Sequence, residues 1–173
     1  MDLKIIDNVV SSGYATYLEQ TCSGRLDNDW GWRHAPAADD EDNNYNFAKW
    51  ILNSNTDINI KTKWFDTFIP VLFNAVDDFE SIYRIRAGMF IKNQCEYTHK
   101  PHVDLQFPHT TLLYYVNDSD GSTKFYENGE IVEEVHPKKG RCVIFDGSIV
   151  HAAAHPVNHM ERITINYNFV PKK

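Results

Sequence analysis

From Ser81 onward the apolar residues of this chain recur with a period of two, and that alternation constrains the fold more than any other feature. The clearest stretch is "ERITINYNFV", where Ile163, Ile165, Tyr167 and Phe169 point one way and Arg162, Thr164, Asn166 and Asn168 the other. "SIYRIRAGMFI" likewise sets Tyr83, Ile85, Ala87, Met89 and Ile91 against Arg84, Arg86 and Phe90. "TTLLYYV", "TKFYE", "EIVEEV", "RCVIF" and "IVHAAA" read as further short strands, with Asn128-Gly129 as a type I′ hairpin signal and "NDSDGS" and "DGS" as turns. This many short strands, preceded by helices, predicts a β-sandwich or open barrel with helices packed on one sheet.

The first 80 residues follow a different pattern. "LKIIDNVV" predicts a short strand, and "SSGYATYLEQTCS" a helix with a serine N-cap and Tyr14, Tyr17, Leu18 and Cys22 at helical spacing. "LDNDWGWRHAPAADDEDNNYN" predicts a short strand near Trp30–Arg33, then an exposed acidic loop that could also form a lid over a site. "NFAKWILNS" predicts a short amphipathic helix carrying Phe47, Trp50 and Ile51. "KTKWFDTFIPVLFNAVDDF" predicts a second helix with Pro70 as kink or restart. Residues 1–80 are therefore expected to form largely helical support for a β core at 81–173. At 173 residues the chain suits one domain better than two.

A formal net charge of −7 speaks against broad binding to nucleic-acid phosphates or anionic membranes. Lys138, Lys139 and Arg141 read as a solvated turn before a strand. The three cysteines, Cys22, Cys95 and Cys142, lack the spacing of a zinc site or a disulfide framework. No window reaches the ~18 apolar residues of a membrane span, and "MDLKIIDNVV" lacks the marks of a signal peptide. A reducing cytoplasm is the expected location, a host's if the gene is phage-borne. "DSDGSTKFYE" imitates part of a calcium loop, but its first ligand position falls on Val116 and no helices flank it, so it reads as a hairpin turn.

Chemistry concentrates in "THKPHVDLQFPHT", three histidines and one carboxylate in thirteen residues. On a strand, His102 and Asp104 share a face, and such a pair is costly to bury unless it binds something. His151, after "RCVIF" and "DGSIV", can lie beside them as a third ligand. Two histidines and a carboxylate form the facial triad of non-haem Fe(II) oxygenases, although catalytic zinc uses a similar set. His155 shares strand parity with His151 and is its rival. His99 and His109 read as loop and turn positions, and His34, His136 and His159 as loop residues. On the last strand, Arg162 followed by Thr164 on the same face makes a carboxylate clamp, to which Tyr115 could add a phenol hydrogen bond.

"HKPHVD", "TTLLYYVNDSDGSTKFYENGE", "GRCVIFDGSIVHAAAHP" and "ERITINYNF", in this order, resemble the 2-oxoglutarate/Fe(II)-dependent dioxygenase superfamily, in particular its prolyl 4-hydroxylase-like branch and small phage-encoded relatives. The resemblance runs from about Tyr83 to Phe169. It implies a double-stranded β-helix of the jelly-roll or cupin-like kind, mainly β with N-terminal helices on one sheet. It implies Fe(II) held by His102, Asp104 and His151, and favours His151 over His155 by its distance from "FDGS". It further implies that the distal carboxylate of 2-oxoglutarate lies against Arg162, with Thr164 and Tyr115 assisting. Dioxygen would be the other cosubstrate and ascorbate a stimulant. Phe90 or Ile91 stands where relatives often carry a tyrosine near the cosubstrate. The implied activity is hydroxylation of an unactivated C–H on a protein or peptide side chain, or on a small molecule. Its alternatives are demethylation of nucleic-acid bases and a cupin-like ligand-binding module without oxygenase activity.

Overall fold

Eleven strands and two helices follow one another in the computed structural model, which describes residues 1–26, 29–35, 46–54 and 59–172. In chain order they are β1 (Leu3–Ile6), α1 (Ser12–Cys22), β2 (Arg33–Ala35), β3 (Asn46–Asn53), β4 (Ile60–Lys61), α2 (Phe65–Ala75) and β5 (Phe79–Ile91). Then come β6 (Thr110–Tyr115), β7 (Thr123–Glu127), β8 (Glu130–Val135), β9 (Cys142–Asp146), β10 (His151–Ala153) and β11 (Glu161–Pro171).

The large antiparallel sheet has the order β1-β9-β6-β11-β5-β3-β2, with β4 paired to β3. The small sheet is β10-β7-β8. Isolated bridges Thr98↔Ala154 and His102↔His151 lay the segment 98–102 along the free side of β10, so the small sheet is longer than its named strands. The two sheets face each other as a double-stranded β-helix with both helices outside the large sheet, as expected.

Side-chain alternation builds both layers. Ile163, Ile165, Tyr167 and Phe169 of β11 join Ile85 and Ala87 of β5 under Leu18 of α1 and Phe68 and Leu72 of α2. Leu113 and Tyr115 of β6 turn the other way and pack on Phe125, Val143 and Phe145 between the sheets. The polar face of β11 therefore points into the space between the sheets and not to solvent.

Helix α1 has the predicted cap, Ser11 Oγ accepting from Tyr14 N at 3.3 Å. Helix α2 runs through Pro70 without a restart. Two carbonyls in the turn before that proline, Thr67 O and Phe68 O, accept from the hydroxyls of Tyr14 and Tyr167, each at 2.7 Å. The hairpin β7–β8 turns on Asn128 and Gly129, both at positive φ.

Several expectations are corrected. "NFAKWILN" is not a helix but strand β3, so the first 80 residues carry more sheet than predicted. The strand near Trp30–Arg33 lies slightly later, at Arg33–Ala35. "NDSDGS" is not a hairpin turn, because β6 and β7 belong to different sheets. It is a crossover between layers, and its Asp120 accepts from the backbone N–H of Val157, Asn158 and His159. The basic turn is tied down rather than merely solvated: Lys138 and Arg141 pair with Asp7, and Lys139 with Glu19. Of the acidic stretch expected as a loop or lid, residues 27–28 and 36–45 lie outside the described residues. No described helix is long and apolar enough to cross a membrane.

Candidate active site

Between the sheets a cavity of roughly 210 Å³ is lined by polar side chains from both layers. His102 and His151 meet there because their backbones form a reciprocal bridge, each N–H donating to the other's carbonyl at 3.0 Å. Their rings stand 4.9 Å apart, centroid to centroid. Strand parity puts His102 and Asp104 together as expected, although the segment is an isolated bridge and not a regular strand.

Each imidazole is oriented by its second nitrogen. His102 Nδ1 lies 3.1 Å from Lys100 O, and His151 Nδ1 3.0 Å from Ile149 O. A carbonyl only accepts, so Nδ1 carries the proton and Nε2 keeps its lone pair for a metal. One donor atom from each of His102, Asp104 and His151 lies within 4.8 Å of the other two, a group that could hold a metal ion. Burial pushes the His151 imidazole below its ordinary pKa, toward the neutral form that ligation needs.

Asp104 is held from both sides. Its Oδ1 pairs with Arg84 at 2.7 Å, and its Oδ2 accepts from Asn166 at 2.9 Å and Asn168 at 3.1 Å. Burial alone would raise its pKa, but Arg84, His151 and the two amides hold the carboxyl well below the usual carboxylate range. Arg84 Nε also donates to Asn168 Oδ1 at 2.6 Å, closing the ring of contacts. Sequence reasoning placed Asn166 and Asn168 on the right face but assigned them, and Arg84, no task.

At the other end of the cavity Arg162 is 2% exposed and has no carboxylate partner among the described residues. Its Nη2 donates to Thr123 Oγ1 at 2.7 Å, and its Nε has no hydrogen-bond partner. The aromatic rings of Phe90 and Tyr115 cover the guanidinium at 5.6 and 5.8 Å. A buried cation so placed is complementary to an anion entering the cavity. Thr164 lines the same wall. Tyr115 does not reach the cavity lining; its hydroxyl donates to Thr123 Oγ1 at 2.8 Å. Thr123 is thus a candidate site position that the sequence reading missed. The available signal was its parity with Phe125 on β7, opposite Ala153 of β10.

His155 is not beside the triad. Its Nε2 lies 2.9 Å from His99 Nε2 and its Nδ1 2.9 Å from Ile91 O. Both imidazoles are buried, and Phe90 stacks on His99 at 4.6 Å, so His99, in an irregular segment as expected, is also part of the cavity wall. His109 is buried as well, its ring against Gly147.

A family model described as "2OG-Fe(II) oxygenase superfamily" matches residues 84–170, just over half of the chain. The chain belongs to that superfamily. Fe(II) and 2-oxoglutarate are accordingly the cofactors of this oxygenase, and the reading as a ligand-binding module without oxygenase activity is set aside. No curated protein matches the chain significantly. Among solved structures, a 2OG-Fe(II) oxygenase family oxidoreductase from Burkholderia pseudomallei superposes with a TM-score of 0.74 at 12% identity, covering 97% of this chain and 84% of that one. A prolyl-4-hydroxylase from Pseudomonas putida gives 0.65 at 14% identity, over 98% and 92%. A Trichoplax adhaerens prolyl hydroxylase, in complex with a hypoxia inducible factor peptide fragment, gives 0.66 at 13% identity, over 97% and 83%. At these identities the likeness establishes the oxygenase's fold.

Proposed function

We propose that this oxygenase hydroxylates an unactivated C–H of a protein or peptide side chain, with His102, Asp104 and His151 as the iron ligands. Arg162 is the anchor for the distal carboxylate of 2-oxoglutarate, steadied by Thr123 and flanked by Thr164. Tyr115 supports Arg162 both through Thr123 and by direct contact with the guanidinium. The observation that carries this reading is the pairing, in one cavity, of three convergent donor atoms with a buried guanidinium that has no carboxylate of its own.

The bound iron supplies activation of dioxygen coupled to decarboxylation of 2-oxoglutarate, so that 2-oxoglutarate, dioxygen and R–H become succinate, carbon dioxide and R–OH. The chain's own residues do the positioning. Arg84, Asn166 and Asn168 fix the Asp104 carboxylate in one rotamer, and the carbonyls of Lys100 and Ile149 fix the two rings. Phe90 and Tyr115 keep water from the Arg162 guanidinium, where an ion pair is correspondingly stronger. The peptide substrate is supported by the fold shared with the two prolyl hydroxylases. The net charge of −7 disfavours a nucleic-acid substrate.

The test is anaerobic titration of the Fe(II) protein with 2-oxoglutarate, watching the metal-to-ligand absorption band, followed by succinate measurement in air. The band is expected in the wild type and lost in His102→Ala. Folded His102→Ala that retains both band and succinate formation would rule out this ligand assignment.

A further inference from the structure

Strand β5 presents two arginines to the cavity side, and only one of them is used by the triad. Arg84 is spent on Asp104 and Asn168. Arg86, two residues along on the same face, lines the cavity directly across from Asn166 of β11. Asn166 donates to Asp104 Oδ2, so the Arg86 guanidinium stands one side chain away from the triad's carboxylate. Trp50 of β3, its partner on the other side, supports it at 5.8 Å.

Among the described residues no oxygen accepts a hydrogen bond from Arg86 and no carboxylate pairs with it. The charged groups facing it are Arg84, of like sign, and Asp104, already engaged on both oxygens. A half-buried guanidinium with five donors and no protein acceptor among the described residues has its hydrogen-bonding capacity open to a ligand. Beside it, Asn166 Oδ1 is buried without a donor, and its identity as oxygen is set by the Nδ2 bond to Asp104. Once iron and the 2-oxoglutarate dianion are bound, Asp104 and the cosubstrate offset the metal and a single arginine. Two of the three guanidinium groups of Arg84, Arg86 and Arg162 then remain unbalanced.

We propose that Arg86 determines specificity by binding a carboxylate of the substrate, so that the hydroxylated carbon belongs to an acidic residue or lies next to one. Asn166 Oδ1 takes an N–H of the same substrate. This deepens the hydroxylase reading and rests on it. A carboxylate fits better than a phosphoryl group. One planar guanidinium matches two carboxylate oxygens, whereas no lysine lines the cavity and its other arginine, Arg162, is assigned to 2-oxoglutarate, so none is left to share a dianion.

The experiment uses acid and amide pairs with the Fe(II)- and 2-oxoglutarate-loaded protein. N-acetylated, C-amidated Ala-Pro-Asp and Ala-Asp-Ala are compared with their Asn counterparts, and N-acetylproline with N-acetylprolinamide, by probe-dependent succinate formation. These arms separate a side-chain carboxylate from a chain-end one. At least one acid is expected to exceed its amide about tenfold in the wild type, and Arg86→Gln to bring that ratio near one by raising KM for the acid. Arg86→Lys should restore part of the preference. The 2-oxoglutarate absorption band, titrated in all three proteins, reports separately on the underlying reading: its absence from the wild type overturns the hydroxylase assignment itself. With the band present, the Arg86 inference is overturned if no acid–amide pair separates in the wild type, or if Arg86→Gln keeps the separation. Competition by inorganic phosphate where acetate has no effect would assign a phosphoryl group and overturn the carboxylate.

Discussion

Thr123 Oγ1 accepts from both Arg162 and Tyr115, which makes one hydroxyl the meeting point of the proposed cosubstrate anchor. Replacing it with valine keeps the shape, removes the acceptor of the buried Arg162 Nη2 and leaves the Tyr115 hydroxyl only the Val135 carbonyl at 3.4 Å. A hydrogen bond to a charged group contributes about 1.5–3 kcal/mol. KM for 2-oxoglutarate is therefore expected to rise about tenfold or more in Thr123→Val, with Thr123→Ser close to wild type; steady-state succinate assays check this. At this scale the legible positions were those fixed by parity along a strand. His102 with Asp104, and Arg162 with Thr164, were readable because residues two apart share a face. Thr123 and Arg84 were not, because each owes its role to a partner on a different strand. Nothing within "STKF" or "IYRIR" announces that partner.

Among the elements, β3 shows how a local pattern misleads. Its pairing with β5 slips between Trp50 and Leu52, so Trp50 opposes Arg86 and Leu52 opposes Ile85. That bulge shifts the alternation by one residue and leaves Phe47, Trp50 and Ile51 at a spacing that mimics a helix. The regular strands β5 and β11 carry no such slip over the residues that line the cavity, and there they were legible, although β5 begins at Phe79, a residue read as the end of the second helix. The connection between β6 and β7 offers a sharper test. A Cβ on Gly121 would meet Ala154 O at 2.5 Å, Pro156 N at 2.9 Å and Arg162 Cδ at 3.0 Å, two of them backbone atoms. Gly121→Ala is expected to lower Tm by roughly 3–10 °C through overpacking of about 1–3 kcal/mol, and to weaken 2-oxoglutarate binding by displacing Arg162. Gly13→Ala in α1, where nothing lies within 4 Å, should instead raise Tm slightly. Thermal melts of the two variants separate these signs.

For the molecule as a whole, one core lies between helices and large sheet and a second lies between the two sheets. The cavity opens where the second core gives way to polar side chains, so ligands bridge both layers. A metal and 2-oxoglutarate that bind only the folded state stabilise it by mass action, about 2.7 kcal/mol at one hundred times Kd. For a chain of 173 residues this corresponds to a rise in Tm of roughly 5–10 °C with Mn(II) and 2-oxoglutarate together. Chelator is expected to reverse it, and His102→Ala to show little of it, as followed by calorimetry. The overall layout was legible because strand number, turn chemistry and polar alternation agreed with one another. The N-terminal share of the large sheet was not, since β2 and β4 are only three and two residues long.

The reciprocal backbone bridge between His102 and His151 carries one more consequence. Two of the proposed ligands are held by main-chain hydrogen bonds and the third by Arg84 and two asparagines, so each donor atom is oriented by the protein's own hydrogen bonds. With the ligands oriented in this way, metal exchange is expected to proceed as ligand substitution without refolding. Stripping and reloading iron should then be rapid and fully reversible, with the far-ultraviolet dichroism unchanged throughout.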